Sequence, residues 1–140
     1  MDEKRMRYLV ENYYDHLTEL TEKLNHLTYE TKITATYGLN AGGGGGFSNS
    51  KVENQALDHY CLMNGIYVLE WYINTVDKAI KVLDNKERQV IEKMKIHKNK
   101  LKTIAIELKK KKKYVYDTRK RALKKMCDYI REVEKDENNI

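Results

Sequence analysis

Apolar side chains recur along this chain at helical spacing, in blocks separated by short polar breaks. From about Glu3 to Thr31, Leu9, Tyr13, Leu17, Leu20, Leu24 and Leu27 follow steps of four, four, three, four and three. That spacing lays one stripe on a helix, and its last positions match the seam of a short coiled coil. Such a stripe needs a partner, either within the chain or on a second copy, because an isolated helix is marginal in water. The pattern stops from Lys32 to Ser50, where Gly42 to Gly46 form an unbroken glycine run. No Lys-Ser or Lys-Thr closes a phosphate-loop motif there, so the run reads as a hinge or linker rather than a nucleotide cradle.

A second long helix is predicted from Ser50 or Lys51 to Val82, with Ser50 as cap and Glu53 as its capping-box partner. Val52, Ala56, Tyr60, Met63, Tyr67, Trp71, Asn74 and Lys78 recur on one side. Cys61, Ile66, Val68, Leu69, Ile73, Val76, Ile80 and Leu83 broaden the apolar face. Trp71 reads as core because it lies inside a dense apolar run, and Gly65 allows a close approach by the first helix. Three shorter segments follow. Asp84 caps a helix with Glu87 at the capping-box position and Val90, Ile91 and Met94 inward. After a break at Ile96 to Asn99, a short helix runs from Lys100 to Leu108 with Leu101, Ile104, Ala105 and Leu108 inward. A last helix starts near Lys112; Val115, Thr118, Ala122, Leu123, Met126, Tyr129 and Ile130 form its inner face, and Lys112, Lys113, Tyr116, Asp117, Lys120 and Lys124 point outward. The polar end beyond Glu134 is expected to fray. The expected fold is all-α: two long N-terminal helices joined by a glycine-rich loop, then a C-terminal helix-turn-helix. Residues 1–83 form a packing or oligomerisation region with its loop at 32–50, residues 84–135 a DNA-binding domain, and 136–140 a polar tail.

Charge sharpens this division. The net charge is +6, but residues 1–83 hold 8 Lys and Arg against 11 Asp and Glu, whereas residues 84–135 hold 19 against 8. The C-terminal part therefore suits a polyanion, since lysines and arginines near phosphates release condensed counterions. A lysine-rich solvated surface would look similar in composition. What favours nucleic acid is that the densest run, Lys109 to Lys113, falls at a helix junction. Absence of proline and 34% charged residues fit a soluble helical protein. The 11 tyrosines suit half-buried contacts.

Little else carries chemistry. Cys61 and Cys127 are far apart, belong to no CxxC pair, and read as small, partly buried thiols of a reduced cytoplasm. His16, His26, His59 and His97 are scattered and read as surface or interhelix residues. No positioned nucleophile and base stand out, so neither an enzyme nor a metal or other cofactor is expected. No apolar segment follows Met1 to Arg5, and no run approaches membrane-spanning length, which points to the cytoplasm.

A helix-turn-helix requires a small residue where its helices cross and an aliphatic residue early in the second; Ala105 and Val115 fill those places. The segments LDNKERQVI, TIAIEL and YVYDTRKRALKKM together resemble sigma-70 region 4 of bacterial sigma factors. That family has an L-x-x-x-E-R helix, an IA-x-x-L helix and a recognition helix of the form V-x-x-x-x-x-R-A-L, and Arg121-Ala122-Leu123 is the most specific part of the likeness. The layout before it, with SKVENQALDHYCLMN entering a long helix, resembles small phage regulators of the RinA and ArpU type. One departure lies at the turn, where the family has a glycine, an aliphatic residue and a hydroxyl cap. Lys109, Lys110 and Lys111 stand there instead. Lysine disfavours the left-handed conformation, so a looser turn or a later helix start is expected.

The resemblance implies a sequence-specific DNA-binding transcription regulator that activates phage late genes with host RNA polymerase. Double-stranded DNA would be its partner, with host RNA polymerase and a second copy of the chain as further ones. The alternative is a protein-interaction adaptor, an anti-repressor or polymerase-binding protein without its own DNA site. Lys102, Lys111, Lys112 and Lys113 are the expected phosphate contacts, with Thr103 beside them. Tyr116, Asp117 and Lys120 face base edges, Lys toward guanine acceptors and Asp toward a cytosine amino group. Asp117 equally fits an intrahelical pair with Arg121. Arg119 and Arg121 would contact phosphate or tie the last helix to Glu87 or Glu92.

Overall fold

The computed structural model describes residues 1–40 and 49–138, with side chains described for residues 1–29 and 54–138. The described residues are all-helical: α1 (Glu3–Glu11), α2 (Tyr13–Asn40), α3 (Asn49–Ile80), α4 (Asn85–His97), α5 (Leu101–Leu108) and α6 (Lys112–Asn138). None of these helices is long and apolar enough to cross a membrane. The chain divides into two compact units. One comprises residues 1–16 with 71–140, and the other comprises residues 17–70.

The first unit owes its order to aliphatic faces drawn from distant parts of the sequence. Met6, Leu9 and Val10 of α1 are buried with Val76, Ala79 and Leu83, with Val90, Ile91 and Met94 of α4, and with Ile104 and Ala105 of α5. Val115, Ala122, Leu123, Met126, Cys127 and Ile130 of α6 complete this core. α6 packs on α1, α4 and α5. The starts of α1 and α4 are set by aspartates. Asp2 accepts from the Arg5 N–H at 2.7 Å. Asp84 accepts from the Glu87 N–H at 2.8 Å, and Glu87 accepts in return from the Asp84 N–H, so the expected capping box at Asp84 and Glu87 is present.

The first expected helix is instead two. It breaks at Asn12, whose amide donates to the Tyr8 carbonyl at 2.9 Å and whose backbone leaves the helical region at φ −103° and ψ 14°. An asparagine side chain that bonds backbone groups locally competes with the helix ladder. The Leu stripe is divided accordingly: Leu9 and Leu20 are buried, but Leu17 and Leu24 are exposed. α2 then runs to Asn40, past the point where the apolar pattern stops. A helix already nucleated gains a hydrogen bond for each residue it adds, so it outlasts its stripe. The expected glycine hinge, Gly42 to Gly46, lies outside the described residues, as do the side chains of the expected Ser50 and Glu53 cap.

On α3 the sequence offers two stripes at helical spacing, and packing selects the aliphatic one. Ile66, Leu69, Ile73, Val76, Ala79 and Leu83 are buried, while Tyr60, Tyr67 and Trp71 face outward. Trp71 is 43% exposed, so its expected place in the core is not met; the Arg5 guanidinium lies 5.7 Å from its ring centre. Aliphatic side chains have only burial to offer, whereas aromatic rings with a polar end tolerate a wet face. Cys61 is likewise exposed rather than partly buried, and Cys127 is buried. Within the second unit, the Lys23 side chain crosses Gly65, where a β-carbon would stand 3.4 Å from its Cε. The close approach expected at Gly65 is thus made by a flexible side chain of α2. At the other end, α6 stays helical to Asn138, beyond the expected fraying at Glu134.

Candidate nucleic-acid interface

α5 and α6 are joined by Lys109, Lys110 and Lys111, and the turn is tight. Lys109 adopts the left-handed conformation at φ 55° and ψ 42°. Its N–H donates to the Ile106 carbonyl at 3.2 Å, and the Lys110 N–H reaches back to the Ala105 carbonyl at 3.0 Å. These two bonds form a Schellman ending, which satisfies carbonyls that a helix end otherwise leaves open. The loosening expected from three lysines does not occur. The two hydrogen bonds and the buried Ala105 and Val115 on either side hold the lysine in a glycine-like conformation. α6 starts at Lys112, as the pattern indicates.

The cations divide into paired and unpaired sets. Glu107 takes Lys93 at 3.1 Å and His97 at 2.9 Å, Glu92 takes Lys95 at 3.2 Å, Asp15 takes Lys98 at 2.7 Å and Glu87 takes Lys125 at 2.7 Å. Lys100, Lys102, Lys109, Lys111, Lys112, Lys113, Lys120 and Lys124 are exposed and make no ion pair among the described residues. They lie just before and on α5, on the turn and on the solvent side of α6. Lys110 lies against Tyr114, with its ammonium 5.3 Å from the ring centre. Bonds from Lys93 and His97 hold the Glu107 carboxyl below its ordinary range, and a bond from Lys98 does the same for Asp15. Glu107 and Asp15 are therefore committed elsewhere, while Asp117 stays exposed on α6.

Most of the expected contact residues are exposed along α5, the turn and the start of α6. Lys102 is exposed and Thr103 half-buried, both on α5; Lys111 lies in the turn; Lys112, Lys113, Tyr116, Asp117 and Lys120 are exposed on successive turns of α6. Asp117 makes no pair with Arg121 among the described residues, and Arg121 instead donates to Thr118 Oγ1 at 3.5 Å. Arg119 behaves differently from the phosphate contact or carboxylate tie expected of it. It is buried, donates from Nη1 to Asn99 Oδ1 at 2.9 Å, and holds its guanidinium 5.3 Å from the Tyr116 ring centre. Burial, and then the nearby Arg7, pull its pKa below the ordinary value. Glu87 is bound to Lys125 and Glu92 to Lys95, so neither carboxylate receives Arg119. The polar pattern alone marks Arg119 as one more cation. Its neighbours at Thr118 and Ala122, both buried, are the only sequence sign that this position turns inward. Lys100, Lys109 and Lys110 add to the expected set and belong to the same basic stretch.

Other chemistry is sparse. No group of three His, Cys, Asp or Glu stands close enough to hold a metal among the described residues. His16 is buried, with ring centres 5.7 Å from Tyr8 and 4.9 Å from Tyr72. Burial pushes the Cys127 thiol up, away from the reactive thiolate. No protein-family model, curated protein or solved structure matches the chain.

Proposed function

We propose that this protein is a sequence-specific DNA-binding transcription regulator that uses α5, the Lys109–Lys111 turn and α6 as a helix-turn-helix of the sigma-70 region 4 kind. The observation that carries this reading is the exposed, unpaired row of lysines on the turn and the first turns of α6, on a helix fixed from behind by Ala105 and Val115. A rigid helix with its cations free fits a duplex groove; a surface whose cations are spent on internal pairs does not. Lys102, Lys111, Lys112 and Lys113 meet phosphates, with Thr103 adding a hydroxyl. Tyr116, Asp117 and Lys120 face base edges. Asp117, free of Arg121, keeps both carboxylate oxygens for a cytosine amino group. The resemblance of the last third of the chain to sigma-70 region 4, and of its layout to RinA- and ArpU-type regulators, supports a phage late-gene activator working with host RNA polymerase.

The test is a gel shift on promoter fragments with random duplex as competitor, repeated across salt concentrations. Lys112→Ala with Lys113→Ala should weaken binding at every sequence and reduce the steepness of the salt dependence, by about 1 for each phosphate no longer neutralised. An unchanged slope rejects the interface. Tyr116→Ala or Lys120→Ala should instead relax sequence preference, and equal losses on specific and random duplex reject a reading role. Ile106, apolar and exposed on α5, favours a second reading, an adaptor that docks on an acidic protein surface. In that case promoter fragments would show no advantage over random duplex.

A further inference from the structure

Among the described residues of the second unit, α3 carries an exposed apolar row. Leu57, Tyr60, Tyr67 and Val68 of α3 are 60%, 64%, 59% and 47% exposed, with Asn64 exposed at the centre. The opposite side of the same helix is already used, since Ile66 and Leu69 are buried. This stretch is therefore apolar nearly all round, and a helix of that kind is ordinarily covered on every side. The outward positions 57, 60, 64 and 67 follow steps of three, four and three, which is the seam spacing of paired helices.

We infer that this row is a self-association face, covered in solution by the same row of a second copy. Three observations select that occupant. The first is charge: no lysine or arginine occurs from Val52 to Asp77, and Lys23, which crosses Gly65, has its ammonium 3.9 Å from Glu19, so the row holds little for a polyanion. The second is polarity. The amide of Asn64 and the two tyrosine hydroxyls each donate and accept, so the row satisfies a copy of itself across a two-fold axis without any ionised partner. A lone asparagine in such a seam sets register and copy number while lowering affinity. The third is size. A tyrosine presents roughly 200 Å² when fully bare, so the row offers on the order of 400 Å² per copy. Two copies fall in the range of small, reversible interfaces rather than permanent ones. The inference does not depend on the nucleic-acid reading, because it lies on a different helix and uses none of the same residues.

Light scattering of the full chain at rising concentration tests it. The wild type should move from 16.6 kDa toward twice that mass at concentrations up to about 0.1 mM. Tyr60→Lys with Tyr67→Lys should remain at the single-chain mass over the same range. Both positions are exposed, so at concentrations where the wild type is still a single chain the helical signal and melting temperature of the variant should match it. Asn64→Leu should tighten association about tenfold or more by removing the polar interruption. A wild type that stays monomeric at about 0.1 mM overturns the inference. So does a lysine double variant that still pairs, or an Asn64→Leu variant with unchanged association.

Discussion

The ammonium of Lys125 on α6 lies 2.7 Å from Oε1 of Glu87 on α4, a carboxylate whose side chain is only 1% exposed. That oxygen also accepts the Asp84 N–H at 3.2 Å, whereas Glu87 Oε2 is buried with no hydrogen-bond partner. Helix capping and interhelix pairing thus converge on one atom.

Lys125→Met should therefore destabilise the protein by about 1–3 kcal/mol, because the buried acceptor loses its cation while staying out of water. Denaturant unfolding of Lys125→Met, Glu87→Gln and the double variant would measure this. The double variant should lose less than the sum of the two single ones, and strict additivity would show that the pair is uncoupled.

Lys109 holds a left-handed conformation that glycine adopts at no steric cost. Lys109→Gly should gain stability, by about 0.5–1 kcal/mol, and Lys109→Val should lose more than that. Thermal melts give both signs. In the DNA assay Lys109→Gly should bind slightly more weakly, since it removes a cation while leaving the turn intact.

Acid should loosen the joint between α4 and α5. Glu107 is held below its ordinary value of 4.5 by hydrogen bonds from Lys93 and His97, so its protonation is opposed in the folded protein. Its contribution is fully present above the ordinary glutamate range and is lost as pH falls through the lowered value. Asp84 and Asp15, held down by the Glu87 N–H and by Lys98, act in the same sense. Stability measured against pH should fall on the acid side, and Glu107→Gln should make that fall shallower. An unaltered acid limb would remove Glu107 from the account.

At the alkaline end the sign reverses. The Tyr13 phenol is pushed up to about 12 by burial and by its 2.8 Å bond to Asp77. Its contribution is present below the ordinary value of 10.0 and is lost as pH rises toward 12. Tyr13→Phe should cost about 1 kcal/mol at neutral pH and abolish that part of the alkaline loss. A stability curve identical to wild type above pH 10 would show that the bond is not maintained.

Periodicity read the C-terminal helices closely because each has one apolar face, and α4 has a marked start. Asp84 with Glu87, the junction at Lys109–Lys111 and the inward Val115, Ala122 and Met126 are all local patterns. It misread positions where two faces compete. On α3, Trp71 and Ile73 are equally apolar by type, and spacing alone does not decide that Ile73 is buried and Trp71 exposed. The inward turn of Arg119 depends on Asn99, twenty residues away and invisible to spacing. Lys109 shows the converse, a residue whose local preference is overruled by the hydrogen bonds around it. Nor does any pattern announce that Met6, Leu9 and Val10 belong with the last helix.

That union of the two ends bears on how the molecule is made. α1 draws its cover from Val76, from α4 and from α6, so all of those distant segments have to be synthesised before Met6, Leu9 and Val10 are fully buried. Within the first unit the His16 and Tyr72 rings stand 4.9 Å apart, so the points where the chain leaves that unit and rejoins it are neighbours. A miniature in which a short glycine bridge replaces residues 17–70 retains every residue of the buried core of the first unit.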